Sequence, residues 1–383
     1  GAPGGTSRPF PMALIWLAIS GLLAGVAIGT LVINEDARPT LAGGGGFGGS
    51  EWELWSGDRA ELRGANLHQR RVYESLDAGE SYGDTSFGPP IIAEDLARLK
   101  AAGANYLHVS HPGLYRERAP FALDRGAQSN LDQIIAHADA AGLEVVIAVR
   151  SGPGRSEWSL ERARPPRRVP RALVNRRIWR NAPAQEAWAA MWRYMATRYA
   201  DEPAVVGYEV MVAPDPETAY PGDTPATLAA RSPEAMEAWS SVHEASVREI
   251  RAVDGETPIL VSGPGGGRIG WMGLIEPLDG EGVVYSAHAD EPARFTSQAP
   301  RAGPAYPARY DADGDGDREL VDDSWLAAMV TRLTRQSERL DAPVAISRYG
   351  TPRWAPGGGR YLRDLQTEFE RAGLNTALWE WRP

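Results

Sequence analysis

The sequence predicts an α/β protein: a (β/α)8 barrel preceded by one N-terminal transmembrane helix. Three observations carry this. Eight short apolar runs rich in β-formers alternate with helical periods from residue 51 to the end. Those runs are continuous rather than alternating, as in VVIAV, which suits parallel strands covered on both faces. Residues 12–33 hold 22 positions without a charge. At ~1.5 Å per residue they span ~33 Å, enough for a hydrocarbon core of ~30 Å.

The elements follow in chain order. Residues 1–11 form a short tail with one arginine, Arg8. Residues 12–33 form the membrane helix. Arg8 precedes it, and Glu35 and Asp36 follow it. The positive-inside rule then puts the N-terminus in the cytoplasm and the rest in the periplasm of a bacterial inner membrane. A cleaved signal peptide is the alternative for this stretch. Gly21, Gly25 and Gly29 share one face of the helix, a spacing that lets a second helix pack closely. Residues 34–50 are a Gly-rich linker.

Residues 51–383 form the barrel. Strands are predicted at 62–67, 105–110, 143–149, 205–212, 258–262, 283–288, 343–347 and 376–381. Helices are predicted at 91–102, 131–141, 183–200, 233–253, 324–340 and 359–372. The helix after Ser262 is short or poorly marked.

Composition narrows the function. The 383 residues carry a net charge of −10, with 43% hydrophobic and 23% charged residues and no cysteine. Wholesale disorder and nucleic-acid binding by bulk positive charge are excluded. So are disulfides, thiolate metal sites and cysteine nucleophiles. All histidines (His68, His108, His111, His137, His243, His288) lie outside the membrane span, which therefore offers none to ligate a pigment.

Six motifs occur in order: LRGANL, DLARLKAAGANYLHVS, VVGYEVM, VVYSAHADEP, PVAISRYG and ALWEWRP. Together they resemble a glycoside hydrolase family 5, cellulase-like barrel across nearly all of 51–383. The resemblance implies a retaining glycosidase with two glutamates ~5 Å apart. One would be an acid/base at the end of the fourth strand. The other would be a nucleophile on the seventh. This sequence departs at both places. Ala213 stands at the first and Arg348 at the second. Alanine transfers no proton, and arginine stays protonated and is no nucleophile. His108 stands where the family often carries arginine, and Asp290 where an aromatic is usual; His288 is retained. The cleft therefore keeps His288, Glu209, Glu380 and Asp290 as polar residues that satisfy one another. A charged Arg348 in a partly buried mouth needs a counter-charge, and Asp290, Glu209 and Glu380 are the candidates.

Two further patterns stand out. Asp311, Asp313, Asp315, Asp317 and Asp322 follow a calcium-loop spacing, with Gly316 at the turn. A solvated Asp/Gly turn is the alternative. Residues 155–180 hold nine arginines against two glutamates. Within that block Arg162, Arg164, Arg167, Arg168 and Arg171 reverse the local sign of the chain and suit a partner contact with acidic protein or anionic lipid.

The expectation is a catalytically inactive, membrane-anchored barrel acting as a structural subunit of a larger membrane complex, with calcium as the one candidate cofactor. Such a protein is similar in architecture to an accessory subunit of some bacterial photosynthetic reaction centre–light-harvesting complexes. The alternatives are a cell-surface carbohydrate-binding pseudoenzyme with Trp379 or Trp381 as platform, and an active hydrolase using Asp215, Glu217 or Glu291.

Overall fold

The computed structural model describes residues 49–57, 59–73, 86–157, 173–313 and 316–382. The predicted membrane span with Gly21, Gly25 and Gly29 lies outside the described residues, as do most of the linker, Asp315 and Arg162, Arg164, Arg167, Arg168 and Arg171. Among the described residues no helix is long and apolar enough to cross a membrane.

The strands are β1 (Arg63–His68), β2 (Arg70–Arg71), β3 (Phe87–Gly88), β4 (Tyr106–His111), β5 (Glu144–Val149), β6 (Val205–Glu209), β7 (Ile259–Ser262), β8 (Val283–Ala289), β9 (Ala308–Tyr310), β10 (Glu319–Val321), β11 (Val344–Tyr349) and β12 (Thr376–Leu378). Eight of them close a parallel barrel in the order β1-β12-β11-β8-β7-β6-β5-β4. Their continuous apolar sequence has the cause expected: β4, β7 and β8 are buried along their whole length, with barrel lumen on one side and helices on the other.

Helices Ala93–Ala101, Arg125–Ala140, Ala182–Tyr199, Glu234–Arg251, Asp323–Leu340 and Gly358–Arg371 alternate with these strands. The segment after β7 is a 3-10 turn, Ile269–Leu274. The helix predicted from residue 131 starts at Arg125 instead. Asp124 sets that start, since its side chain accepts from the backbone N–H groups of Gly126 and Ala127. The fourth barrel strand stops at Glu209 rather than Val212, and the backbone then turns left-handed at Ala213 (φ 49°).

The first described helix, Ser50–Ser56, was not anticipated. It closes the N-terminal end of the barrel by burying Trp52 and Trp55 against Leu62, Tyr106, Val146, Val206, Leu260, Val284, Ala345 and Ala377. The Trp55 indole N–H donates to the Val206 carbonyl at 2.9 Å. Asn375 pins this helix to the barrel. Its Oδ1 accepts from Leu62 N at 2.8 Å, and its Nδ2 donates to Leu54 O at 2.7 Å. The described chain therefore begins at the bottom of the barrel, opposite the mouth.

The antiparallel hairpin β9–β10 interrupts the passage from β8 to β11. It carries the Asp-rich loop and corrects the predicted ligand set. Asp311, Asp313 and Glu319 bring one carboxylate oxygen each within 4.8 Å of one another. Asp322 is not among them. Its carboxylate caps the helix Asp323–Leu340 by accepting from Ser324 N and Trp325 N. Asp317 is also outside that group. Only helix-start chemistry at Asp322 could have warned of this, because a cap and a loop ligand use the same residue type.

Candidate functional site

The C-terminal ends of the barrel strands form a mouth above a buried polar layer. Glu209, at the end of β6, is fully buried in that layer. Its Oε2 lies 2.6 Å from His108 Nε2 on β4. Its Oε1 accepts from Ser262 at 2.5 Å, Ser286 at 3.2 Å and Ser347 at 3.5 Å. Burial alone would raise this carboxyl. The His108 and His288 side chains and the Ser262 hydroxyl outweigh it and hold Glu209 below its ordinary value. Glu209 is thus a charged anchor shared by four strands, spent on the barrel interior.

His288, on β8, is buried beside it. Its backbone N–H donates to the Gly267 carbonyl at 2.7 Å. Gly267 sits at φ 80°, and a Cβ there would come within 3.1 Å of the His288 ring, so glycine serves both the backbone and the ring. Burial, then the Arg348 charge, push His288 down to about 4, so it is neutral at physiological pH.

Arg348 on β11 pairs in register with His288. Its Nε lies 3.3 Å from Asp290 Oδ1. Of the three counter-charges expected, Asp290 supplies the contact. Glu209 is committed to His108. Glu380 is committed to Arg382, with His68 Nδ1 3.8 Å away. The Arg348 guanidinium also lies 4.7 Å from the centre of the Trp379 ring, and that of Arg150 lies 5.5 Å from it. Trp379 is thereby covered by the chain's own cations.

The opposite lip is built by Arg155, which belongs by sequence to the arginine block but is fully buried. Its guanidinium donates to the carbonyls of Arg150 and Val212 at 2.8 Å, to that of Ala213 at 2.6 Å and to Asp215 Oδ1 at 3.3 Å. A guanidinium fork has enough donors to hold four acceptors, and here it ties the Ala213 turn shut. This latch, and the cluster His68–Glu157–Arg150, were not singled out from sequence. Glu157 Oε1 accepts from His68 Nε2 at 3.1 Å and from Arg150 Nε at 3.0 Å. Despite burial, Arg150 and His68 hold the Glu157 carboxyl down to about 2. The signal available was position: Arg150 directly follows the buried run of β5.

The substitute carboxylates are also engaged. Asp215 accepts from Arg155 and from the Trp179 indole N–H at 3.3 Å. Glu217 accepts from Gly265 N at 3.2 Å. Glu291 accepts from Gly270 N at 2.9 Å, and burial lifts it to about 7.

With this geometry in view, comparison with known proteins is informative. The model of the family "Cellulase (glycosyl hydrolase family 5)" matches residues 57–383. No curated protein matches. Solved structures share the fold at low identity. A Thermotoga maritima Cel5A–mannotriose complex has a TM-score of 0.59 at 19% identity, covering 84% of this chain and 90% of its own. A hyperthermophilic endo-β-1,4-glucanase in complex with substrate has a TM-score of 0.60 at 14% identity, covering 87% and 92%. The cellulose synthase subunit Z of Clostridioides difficile has a TM-score of 0.59 at 14% identity, covering 84% and 92%.

Proposed function

The chain belongs to glycosyl hydrolase family 5, and from that premise we propose that it has lost glycoside hydrolysis and serves as a membrane-anchored structural subunit of a larger membrane assembly. The observation that carries the loss of chemistry is the state of Arg348. It occupies the strand position where a carboxylate is expected, pairs with Asp290 and lies on the Trp379 ring. A fixed cation there repels a developing oxocarbenium ion instead of stabilising it. At the turn beyond β6, Ala213 offers no proton and Arg155 grips its carbonyl. A sugar stacking on Trp379 would first have to displace Arg348, which also weighs against the carbohydrate-binding alternative.

The structural role rests on the charge-free span at 12–33 with its glycine face, and on the arginine block. The buried helix Ser50–Ser56 supports one orientation. It begins at the closed end of the barrel, and in this reading the mouth faces away from the membrane. One fold neighbour is by its name a synthase subunit, so a barrel of this shape does occur as a subunit. A photosynthetic reaction centre–light-harvesting complex is the specific assembly proposed. Calcium, where present, would bind Asp311, Asp313 and Glu319 and stiffen the hairpin.

Turnover is the direct test of lost catalysis. The full chain is incubated with β-glucan and mannan oligosaccharides, and product is followed by mass spectrometry. Release at the uncatalysed rate is the expected result. Hydrolysis that vanishes in Asp215→Asn, Glu217→Gln or Glu291→Gln would establish an active enzyme with substitute carboxylates.

A further inference from the structure

The two ends of the barrel differ in where their charges stand. Loops that lead into strands lie at the closed end, and exposed carboxylates crowd them. Glu53 on the first described helix, Glu61 before β1, Asp201 and Glu202 before β6 and Glu256 before β7 are all exposed. None of these five has an ion-pair partner among the described residues. Cations nearby are engaged elsewhere. Arg63 pairs with Glu370, Lys100 donates to the Gly142 carbonyl, and Arg251 donates to the carbonyls of Asp254, Glu281 and Gly282. Arg59 is exposed among the carboxylates and is outnumbered. The negative field is felt within the fold: burial first, then Asp254, Glu256 and Glu144, raises the Glu51 carboxyl above its ordinary value.

The helix ends supply the second observation. Barrel helices point their C-termini at the closed end, and a helix C-terminus carries roughly half a negative charge, which favours cations. Three of these helices end in aspartate instead. Asp139 lies in the last turn of Arg125–Ala140, Asp201 just past Ala182–Tyr199, and Asp341 is the C-cap of Asp323–Leu340. The mouth end obeys the rule, with Glu94, Glu234, Glu237 and Asp323 in first helical turns. The closed-end aspartates therefore cost stability, and a local rule broken this consistently marks a functional surface.

The occupant of such a surface is cationic and broad. Anionic lipid and nucleic acid are repelled. A single divalent ion needs converging carboxylates, and among the described residues those are Asp311, Asp313 and Glu319 on the hairpin. A second copy stacked by its mouth end makes a heterologous contact that grows into an open filament, which does not suit chains anchored in one membrane plane. We propose that the closed end of the barrel docks a cationic protein surface, rich in lysine or arginine, on a neighbouring subunit. This rests on the assembly reading above and gives the partner its chemistry.

The test compares membranes from cells carrying three forms of the full chain. They are the parent, a closed-end variant (Asp139→Asn/Asp201→Asn/Glu202→Gln/Glu256→Gln/Asp341→Asn) and a mouth-end variant of equal net charge (Glu94→Gln/Asp223→Asn/Glu234→Gln/Glu237→Gln/Asp323→Asn). Each is extracted in mild detergent at low salt and sized. The closed-end variant should melt no lower than the parent, because it relieves charges set against helix dipoles, yet its co-migrating fraction should fall about tenfold. The mouth-end variant should co-migrate like the parent. Carbodiimide coupling of the parent complex should join closed-end carboxylates to lysines of another subunit. Equal co-migration of the parent and the closed-end variant would overturn the proposal and leave the assembly reading standing. Coupling through other faces only, or to a second copy, would also overturn it. A parent chain that runs at its own mass would overturn both.

Discussion

Replacing Arg348 with alanine removes two contacts at once. The ion pair with Asp290 spans 3.3 Å, with the two side chains 28% and 23% exposed. Water therefore screens it, and its worth is ~0.2–1 kcal/mol. The contact with Trp379, at 4.7 Å from the ring centre, adds ~0.5–2 kcal/mol. Arg348→Ala should cost about 1–2 kcal/mol in urea denaturation, at unchanged slope. Asp290→Ala should cost less, because the ring contact survives, and the double variant should show a coupling of ~0.2–1 kcal/mol. The two substitutions also have opposite electrostatic signs at His288. Burial and the Arg348 charge depress this imidazole to about 4, while Asp290 pulls it upward. Its pKa, read by NMR, should rise in Arg348→Ala and fall in Asp290→Ala. A stability change near zero, or movement of His288 in the same direction in both variants, would refute the mouth as described.

Four further outcomes follow from the same structure. Glu209→Gln should cost ~3–5 kcal/mol, more than Arg348→Ala, because it removes one partner of a fully buried pair with His108; equal or smaller loss in urea melts would contradict the anchor role. Trp55→Ala should cost ~3–5 kcal/mol, since it empties the bottom of the barrel and frees the Val206 carbonyl; a neutral melt would deny the plug. His243 is buried and pushed down from 6.5 to about 4. Its contribution to stability is complete above pH 6.5 and is lost as pH falls toward 4. At pH 5 the loss is about 2 kcal/mol, and His243→Phe should lose less stability than the parent chain between pH 7 and pH 5. Millimolar calcium should raise the melting temperature of the parent chain and leave that of Asp311→Asn/Asp313→Asn unmoved; no rise in the parent would remove calcium from the account.

The barrel was readable because parallel strands buried on both faces leave a continuous apolar signature, as in Glu144–Val149. What escaped depended on contacts made far along the chain. The helix Ser50–Ser56 has no strong period of its own. It forms because two tryptophans meet strand residues such as Val206 and Leu260. The short hairpin β9–β10 lies in a stretch dominated by Asp and Gly, which read as loop chemistry. Asp322 matched a ligand spacing and a helix cap equally well, and the helix took it. At the mouth, the absence of glutamate at Ala213 and Arg348 is plain in the sequence. The choice of Asp290 as partner of Arg348, and the burial of Arg155 under Ala213, needed the closed barrel to bring β5, β6, β8 and β11 together.

The account's central claim, a barrel kept for assembly rather than for chemistry, is tested most directly in the native membrane. Membranes are extracted in mild detergent, resolved by native sizing, and the band holding this chain is analysed by mass spectrometry and absorption. The account predicts co-migration with other integral membrane proteins in a complex far larger than the chain, with pigment in the band if the assembly is photosynthetic. A chain that runs alone at its own mass would contradict it.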